Sequence, residues 1–357
     1  MGRRENEMER RSREKAQPDT GEEETNGDPK AKSVKPRVEI IALQPRHIFR
    51  ISRGAKAEVR NVIFSVESEG ILGLGEASPN AFYGETADDV SNRLRALSDW
   101  LGGIKISDPA DIVALWPELW QRVQPSRAAA CAVDCALWDW LAAARGVTLS
   151  ELLWNEKPRP VVSCVTLGLS APDELDAKLD ELAGFSLIKI KLNRENPLEL
   201  VAKISQRTSS RLIVDANAAW DAALLEKIAP ELDSLGVEFI EQPLPPGEVF
   251  AAPNVPVFAD ESCVTPDDID RLHTGFSGFN IKLVKCGGIT PALEMLARGQ
   301  QRGLRPMIGC MLETSVLISA GFAIAQRTEY ADLDGAWLLQ SEPFNRVRFD
   351  SGVLTLS

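Results

Sequence analysis

Seven charged residues fall at or near the ends of short apolar runs between residues 187 and 288 of this 357-residue chain. LIKIK carries Lys189 and Lys191, RLIVDAN carries Asp215, and GVEFIEQP carries Glu241. VPVFADES carries Asp260, and FNIKLVK carries Lys282 and Lys285. If the run ends converge, Asp215, Glu241 and Asp260 must approach one another. Uncompensated like charges at that range raise each other's pKa steeply or force the site apart. A divalent cation resolves the conflict, and all-oxygen ligation without His or Cys favours a hard ion, Mg²⁺, completed by water or substrate. Three unrelated helix caps would also use Asp, but they need not stand at one level as these do.

The lysines suggest proton transfer. A lysine acts as a base when burial, a neighbouring ammonium or a nearby cation lowers its pKa. Lys189 lies on the same side of its strand as Lys191, and is placed to depress it or to bridge a metal ligand. Lys191 and Lys282 fall on opposite sides of a barrel, so one can take a proton from one face while the other returns it on the opposite face. A metal would stabilise the enediolate formed in between.

From Lys191 the steps to Asp215, Glu241, Asp260 and Lys282 are 24, 26, 19 and 22 residues. Such a step is one strand, one helix and two turns, the unit of a parallel sheet. Strands are predicted at 161–169 and near 186–192, 211–216, 236–241, 256–260, 278–284 and 305–310, with an eighth near 332–339. LDAKLDELAG, ENPLELVAKISQR and AALLEKIAPELDSLG between them have helical spacing and mostly end in Gly or turn residues. That count suits an α/β barrel, whose strand C-termini carry the chemistry.

Upstream, VEIIALQ, HIFRIS and RNVIFSVES alternate as antiparallel strands. GILGLGEASP is only weakly nucleotide-like, because no crossover helix and acidic partner follow it. Helices are predicted over 84–100, 108–123 and 126–144, the last buried and ended by Gly146. The domain reading is a charged tail at 1–36, an α+β capping domain at 37–157, a barrel at 158–339 opened by Pro158 and Pro160, and a return to the capping domain at 340–357. The tail holds nine acidic and nine basic residues and too little apolar surface to offset ordering.

A formal charge of −12 argues against nucleic-acid binding. The six cysteines form no CxxC pair and histidines number two, which disfavours structural zinc. No run reaches the ~18 apolar residues of a membrane span, and the N-terminus lacks a secretory core. Cytoplasm is the expected location and a homo-oligomer the expected assembly.

KIK at 189–191, DAN at 215–217, EQPL at 241–244, ADES at 259–262 and NIKLVKCGGIT at 280–290, in this order, resemble the enolase superfamily, specifically its muconate-lactonising-enzyme subgroup. The resemblance covers about residues 37–357 and implies a modified TIM (β/α)7β-type barrel under an N-terminal α+β cap that the C-terminal tail completes. It implies that Lys191 and Lys282 are the acid/base pair, that Asp215, Glu241 and Asp260 hold one Mg²⁺ per subunit, and that Lys282 is preferred to Lys285 because it directly follows NI. The mandelate-racemase subgroup uses a seventh-strand His, and PMIGCMLET (306–314) has none.

ADLDGAW resembles the DxD of dipeptide epimerases, so Asp332 and Asp334 are expected to hold the α-ammonium of a dipeptide. Two acids on one face call for such a cation. Lys189, Thr166, Phe82 and Tyr83 complete the expected substrate-binding set. Ala-Glu epimerases place a basic residue in the first-domain loop, whereas SPNAFYGET (78–86) offers Phe82 and Tyr83 and no Lys or Arg. The expected activity is epimerisation at the second residue of an L,L-dipeptide, with a preference for a hydrophobic residue there. The alternatives are a muconate cycloisomerase or o-succinylbenzoate synthase-like lyase acting on an ammonium-free acid, and a catalytically silent barrel serving as a binding protein.

Overall fold

Residues 35–357, apart from 48, 52–53 and 170–173, are described in a computed structural model. The charged tail expected over 1–36 lies outside the described residues except for Lys35 and Pro36, which open the first strand. Five strands come first: β1 (Lys35–Leu43), β2 (Phe49–Ile51), β3 (Gly54–Lys56), β4 (Val59–Ser68) and β5 (Ile71–Ala77). Helices α1 (Ala87–Arg95), α2 (Ser98–Gly102), α3 (Pro109–Val123), α4 (Arg127–Ala144) and α5 (Leu149–Trp154) follow. β1, β4 and β5 form an antiparallel sheet.

The buried, alanine-rich α4 lies directly on β5. A Cβ at Gly73 would overlap the Ala136 carbonyl, and one at Gly75 the Ala132 carbonyl. The spaced glycines of GILGLGEA are therefore explained by close helix-on-strand contact, not by a phosphate. The single helix expected over 84–100 is instead two. Asn80 caps a 3-10 turn at Ala81–Tyr83, and Thr86 then caps α1 by accepting from the Asp89 amide.

Then come β6 (Val161–Val162), β7 (Val165–Leu167), α6 (Leu175–Glu181), β8 (Leu187–Lys191), α7 (Pro197–Ser205), β9 (Arg211–Asp215), α8 (Ala222–Ser234) and β10 (Val237–Glu241). β11 (Val257–Ala259), α9 (Pro266–Arg271), β12 (Gly278–Lys282), α10 (Leu283–Cys286), α11 (Ile289–Gln301), β13 (Arg305–Gly309), α12 (Ser315–Ala325), β14 (Tyr330–Asp332), β15 (Val347–Asp350) and β16 (Val353–Leu356) complete the chain. β7 through β14 pair in sequence order as one eight-stranded sheet. The Cys164 amide donates to Ala331 O at 2.9 Å across the remaining gap, so the parallel barrel is nearly closed. Among the described residues no helix separates β10 from β11, which accounts for the shortest of the four steps. All of these elements belong to one compact unit.

The eighth strand ends at Asp332 and does not run to 339. The Asp334 carboxylate accepts from the Thr166 amide at 2.7 Å, and the Leu338 amide then donates to Asp334 O at 2.9 Å, turning the chain across the barrel mouth. The tail hairpin of β15 and β16 pairs with β6, and Arg346 bonds Asp139 of α4 at 2.7 Å.

Inside the barrel, side chains alternate with the two-residue period of a strand. Leu187, Ile213, Phe239, Phe258, Met307 and Tyr330 form a buried apolar floor with Cys164, Phe239 and Phe258 stacking at 4.2 Å. Each such side chain contributes about 1.5–3 kcal/mol on burial. Two residues further along their strands stand Lys189, Asp215, Glu241, Asp260 and Asp332. The floor thus holds the charged layer above it out of bulk water.

Candidate active site

Register aligns the charged layer. Lys191 is paired with Asp215 across β8 and β9, and Asp215 with Glu241 across β9 and β10. Lys191 Nζ lies 2.6 Å from Asp215, Lys282 Nζ 3.1 Å from Asp260, and Lys285 Nζ 2.5 Å from Asp260. Lys189 Nζ touches three carboxylates, Asp215 at 3.0 Å, Glu241 at 2.7 Å and Asp332 at 2.7 Å.

Burial raises the pKa of every carboxylate here, and the ammonium groups decide which ones escape. Lys191 and Lys189 hold Asp215 below its ordinary value, and Lys282 and Lys285 do the same for Asp260. Lys189 likewise holds Asp332 down. Glu241, burdened by burial and by Asp215 and Asp260, is pushed up to about 7. Asp334 also rises to about 7, through burial and the Asp332 charge.

A cavity of about 460 Å³ opens above this layer. Lys191 and Lys282 reach it from β8 and β12, and Asp332, Asp334, Asp260 and Thr166 line it as well. Phe82 and Tyr83 enter from the cap, beside Met311 and Leu312 of the turn after β13. Burial pushes the Tyr83 phenol up to about 12, so it stays a neutral hydroxyl.

Two expectations change. Lys189 does not line the cavity; it is 1% exposed and sits beneath the cavity among the carboxylates, which removes it from the substrate-contacting set. Nor is Lys282 depressed: burial lowers it, but Asp260, joined by Glu241 and Asp215, more than offsets that and raises it above the ordinary lysine value. Lys285, the competitor, turns away from the cavity to bond Asp260 O, Cys263 O and Asn280 O.

Several residues at the site escaped the sequence reading. Asn280 donates to Glu241 at 2.8 Å, and Gln242 accepts from the Asp260 and Ser262 amides. Asn280 was legible in principle, since it shares the inward face of β12 with Lys282. The cavity's apolar contributors Met311 and Leu312 sit in an irregular turn and carry no such signal.

Among the described residues no three acidic, His or Cys side chains are drawn together at metal-binding spacing. Lysine ammonium groups contact each of the three carboxylates instead. The donor set nevertheless suits a hard cation. It consists of oxygens alone, and Glu241 Oε2 accepts no well-directed hydrogen bond although Lys189 Nζ lies 2.7 Å away. The mutual repulsion that lifts Glu241 is the strain such a cation relieves.

The family described as "Enolase C-terminal domain-like" matches residues 174–357, and the "Mandelate racemase / muconate lactonizing enzyme, N-terminal domain" matches residues 37–154. An L-Ala-D/L-Glu epimerase of Escherichia coli is 35% identical over 86% of this chain and 95% of its own length. A hydrophobic dipeptide epimerase of Roseobacter litoralis is 34% identical over 90% of this chain and 95% of its own. The structure of a dipeptide epimerase from Methylococcus capsulatus, complexed with Mg and the dipeptide L-Arg-D-Lys, superimposes with a TM-score of 0.83 at 29% identity, covering 91% of this chain and 97% of that one. The chain belongs to the enolase superfamily, within its mandelate racemase/muconate-lactonising group. It is an isomerase of the racemase and epimerase kind acting on amino acid derivatives, with Mg²⁺ as cofactor.

Proposed function

We propose that this member of the enolase superfamily epimerises dipeptides at the α-carbon of the second residue, by proton transfer between Lys191 and Lys282 through an enediolate. The observation that carries the proposal is the entry of these two lysines into one cavity from β8 and β12, four strands apart in an eight-stranded barrel, with the carboxylate strands β9 to β11 between them. On this reading the cap spans 37–157, the barrel 158–339, and 340–357 returns to the cap.

Asp215, Glu241 and Asp260 would hold the Mg²⁺. When bound, it supplies positive charge for the substrate carboxylate as the α-proton leaves. In each direction one lysine Nζ, unprotonated, takes the α-proton, and the other, as ammonium, delivers a proton to the opposite face. Asp260 favours the ammonium form of Lys282, which suits it to the donor role. The apolar floor keeps water from reaching the charged layer from below.

Asp332 and Asp334 would hold the substrate's α-ammonium. Asp332 is already engaged by Lys189, while Asp334, bonded to the Thr166 amide, has the unmet need for a cation. The second side chain would meet Phe82, Tyr83, Met311 and Leu312, a wall without Lys or Arg, so a hydrophobic residue is the expected substrate. Overall identity does not decide this, because relatives at 35% and 34% are named for Glu and for hydrophobic dipeptides.

An L,L-dipeptide library, followed by NMR for deuterium entry at the second α-carbon, tests the proposal. Hydrophobic second residues should turn over, with loss of activity in EDTA; turnover of Ala-Glu alone overturns the specificity. Lys191→Ala and Lys282→Ala should each abolish epimerisation. Asp334→Asn should weaken kcat/KM by about 10–100-fold, the worth of a hydrogen bond to a charged group. Unchanged kcat/KM would remove the ammonium and restore the cycloisomerase or lyase alternative.

A further inference from the structure

Asp134 is an acid in the middle of the apolar, buried α4, itself 1% exposed. Its Oδ2 accepts from the Thr290 amide at 2.9 Å and its Oδ1 from the Thr290 hydroxyl at 2.5 Å. Trp138, one turn further along α4, donates from Nε1 to the same hydroxyl at 3.0 Å. Neither Asp134 nor Thr290 lines the cavity. Burial alone lifts the Asp134 carboxyl to about 7, so the acid is kept here against a solvation cost that an apolar residue would avoid.

What these bonds hold is the turn that follows α10, the four-residue helix directly after Lys282. Thr290 lies in the first turn of α11, and Gly287 and Gly288 join α11 to α10, which starts immediately after Lys282. The amides of both glycines donate to Leu283 O at 2.8 Å, and Leu283 is the neighbour of Lys282. Gly288 has φ of 128°, and a Cβ there would press on the Asp134 carboxyl carbon at 2.8 Å. A Cβ at Gly287 would run into the Trp116 ring of α3. Two cap helices therefore close on this turn with no room between, while Lys285 ties its other side to the Asp260 and Cys263 carbonyls at 2.7 and 3.1 Å.

We propose that Asp134 is a positioning residue for one of the two proton transfers. By fixing the Gly288–Thr290 turn it sets α10, and so the point at which Lys282 Nζ meets the substrate. The inference rests on the assignment of Lys282 as one of the two proton-transfer groups. Lys191 stands on β8, four strands away, and has no share in this turn. Loss of the Asp134 contact should consequently impair chemistry on one face of the α-carbon only.

The test follows α-proton exchange with solvent deuterium from each substrate epimer separately, in the full chain with Mg²⁺. Lys282→Ala first identifies the epimer whose exchange depends on Lys282. Asp134→Ala should slow exchange from that same epimer about tenfold or more relative to the other, since misplacement by ~1 Å costs as much as ~100-fold. Asp134→Asn should retain most of the rate, because its amide oxygen can accept from the Thr290 amide while its NH₂ donates to the hydroxyl. Thr290→Val, which keeps the amide and loses the hydroxyl, should show the same one-sided bias and stands in if the alanine variant does not fold. Equal slowing of both epimers, or no slowing in a folded variant, overturns the inference alone. If Lys282→Ala spares exchange from both epimers, the two-lysine reading falls and the inference falls with it.

Discussion

Lys189→Met removes the one ammonium that touches Asp215, Glu241 and Asp332 together. The thioether is nearly as long as the lysine stem, so the change leaves little void. Its cost is therefore electrostatic. Lys189 is 1% exposed and its three partners are almost as buried, so water cannot replace the lost charge. Removing one partner of a buried ion pair typically costs about 3–5 kcal/mol, a large part of the 5–15 kcal/mol that holds an ordinary domain together. Without divalent cation, the variant should unfold at clearly lower temperature and denaturant concentration than the parent. Mg²⁺ should narrow the gap by compensating Asp215 and Glu241, without closing it, because Asp332 remains uncompensated. Each 1.4 kcal/mol recovered appears as about tenfold tighter Mg²⁺ binding by the variant. Calorimetric Mg²⁺ titration and thermal melts with and without the ion read both quantities. A metal-free variant as stable as the parent, or a stability gap that saturating Mg²⁺ leaves unchanged, would refute the role of Lys189 as the charge that holds the carboxylates together.

Gly75→Ala should lower stability by at least about 1–3 kcal/mol, the usual cost of overpacking, because the new methyl overlaps the Ala132 carbonyl of α4; circular-dichroism melts would show it. A second expectation concerns pH. Glu313 is buried in the turn after β13, and burial together with Glu76 lifts its carboxyl to about 8. A raised carboxyl gives stability that is complete below its unfolded value of 4.5, lost as pH rises towards 8, and level beyond. Glu313→Gln should flatten the decline in urea midpoint between about pH 5 and 8, where the slope from one such group is at most ~1.4 kcal/mol per pH unit. An unaltered slope would place the titration elsewhere.

The barrel was legible because charges broke an apolar pattern at a regular step. In LIKIK or RLIVDAN the strand needs its apolar residues for the floor and the walls, so an inward charge survives there only if something answers it, and that constraint shows in the letters. Where no local conflict exists, the sequence is silent. ADLDGAW looks extended through 339, yet the chain turns after Asp332 because Asp334 accepts from Thr166, 168 residues away; no window along the chain holds both partners. Lys189 was legible as a residue that bridges a metal ligand, and it touches Asp215 and Glu241; its third partner, Asp332, lies 143 residues away and, unread, left a buried charge hub resembling a substrate-contacting residue. Asp134 is the instructive intermediate. Its partner Thr290 lies 156 residues on and could not be read, but the acid itself stood alone in ACAVDCALW, an apolar helix with no local cation. An isolated acid in such a helix must find donors in another part of the fold. Here it finds them on the turn next to Lys282, so the requirement to satisfy one buried carboxyl and the requirement to hold one lysine in place are met by the same two hydrogen bonds.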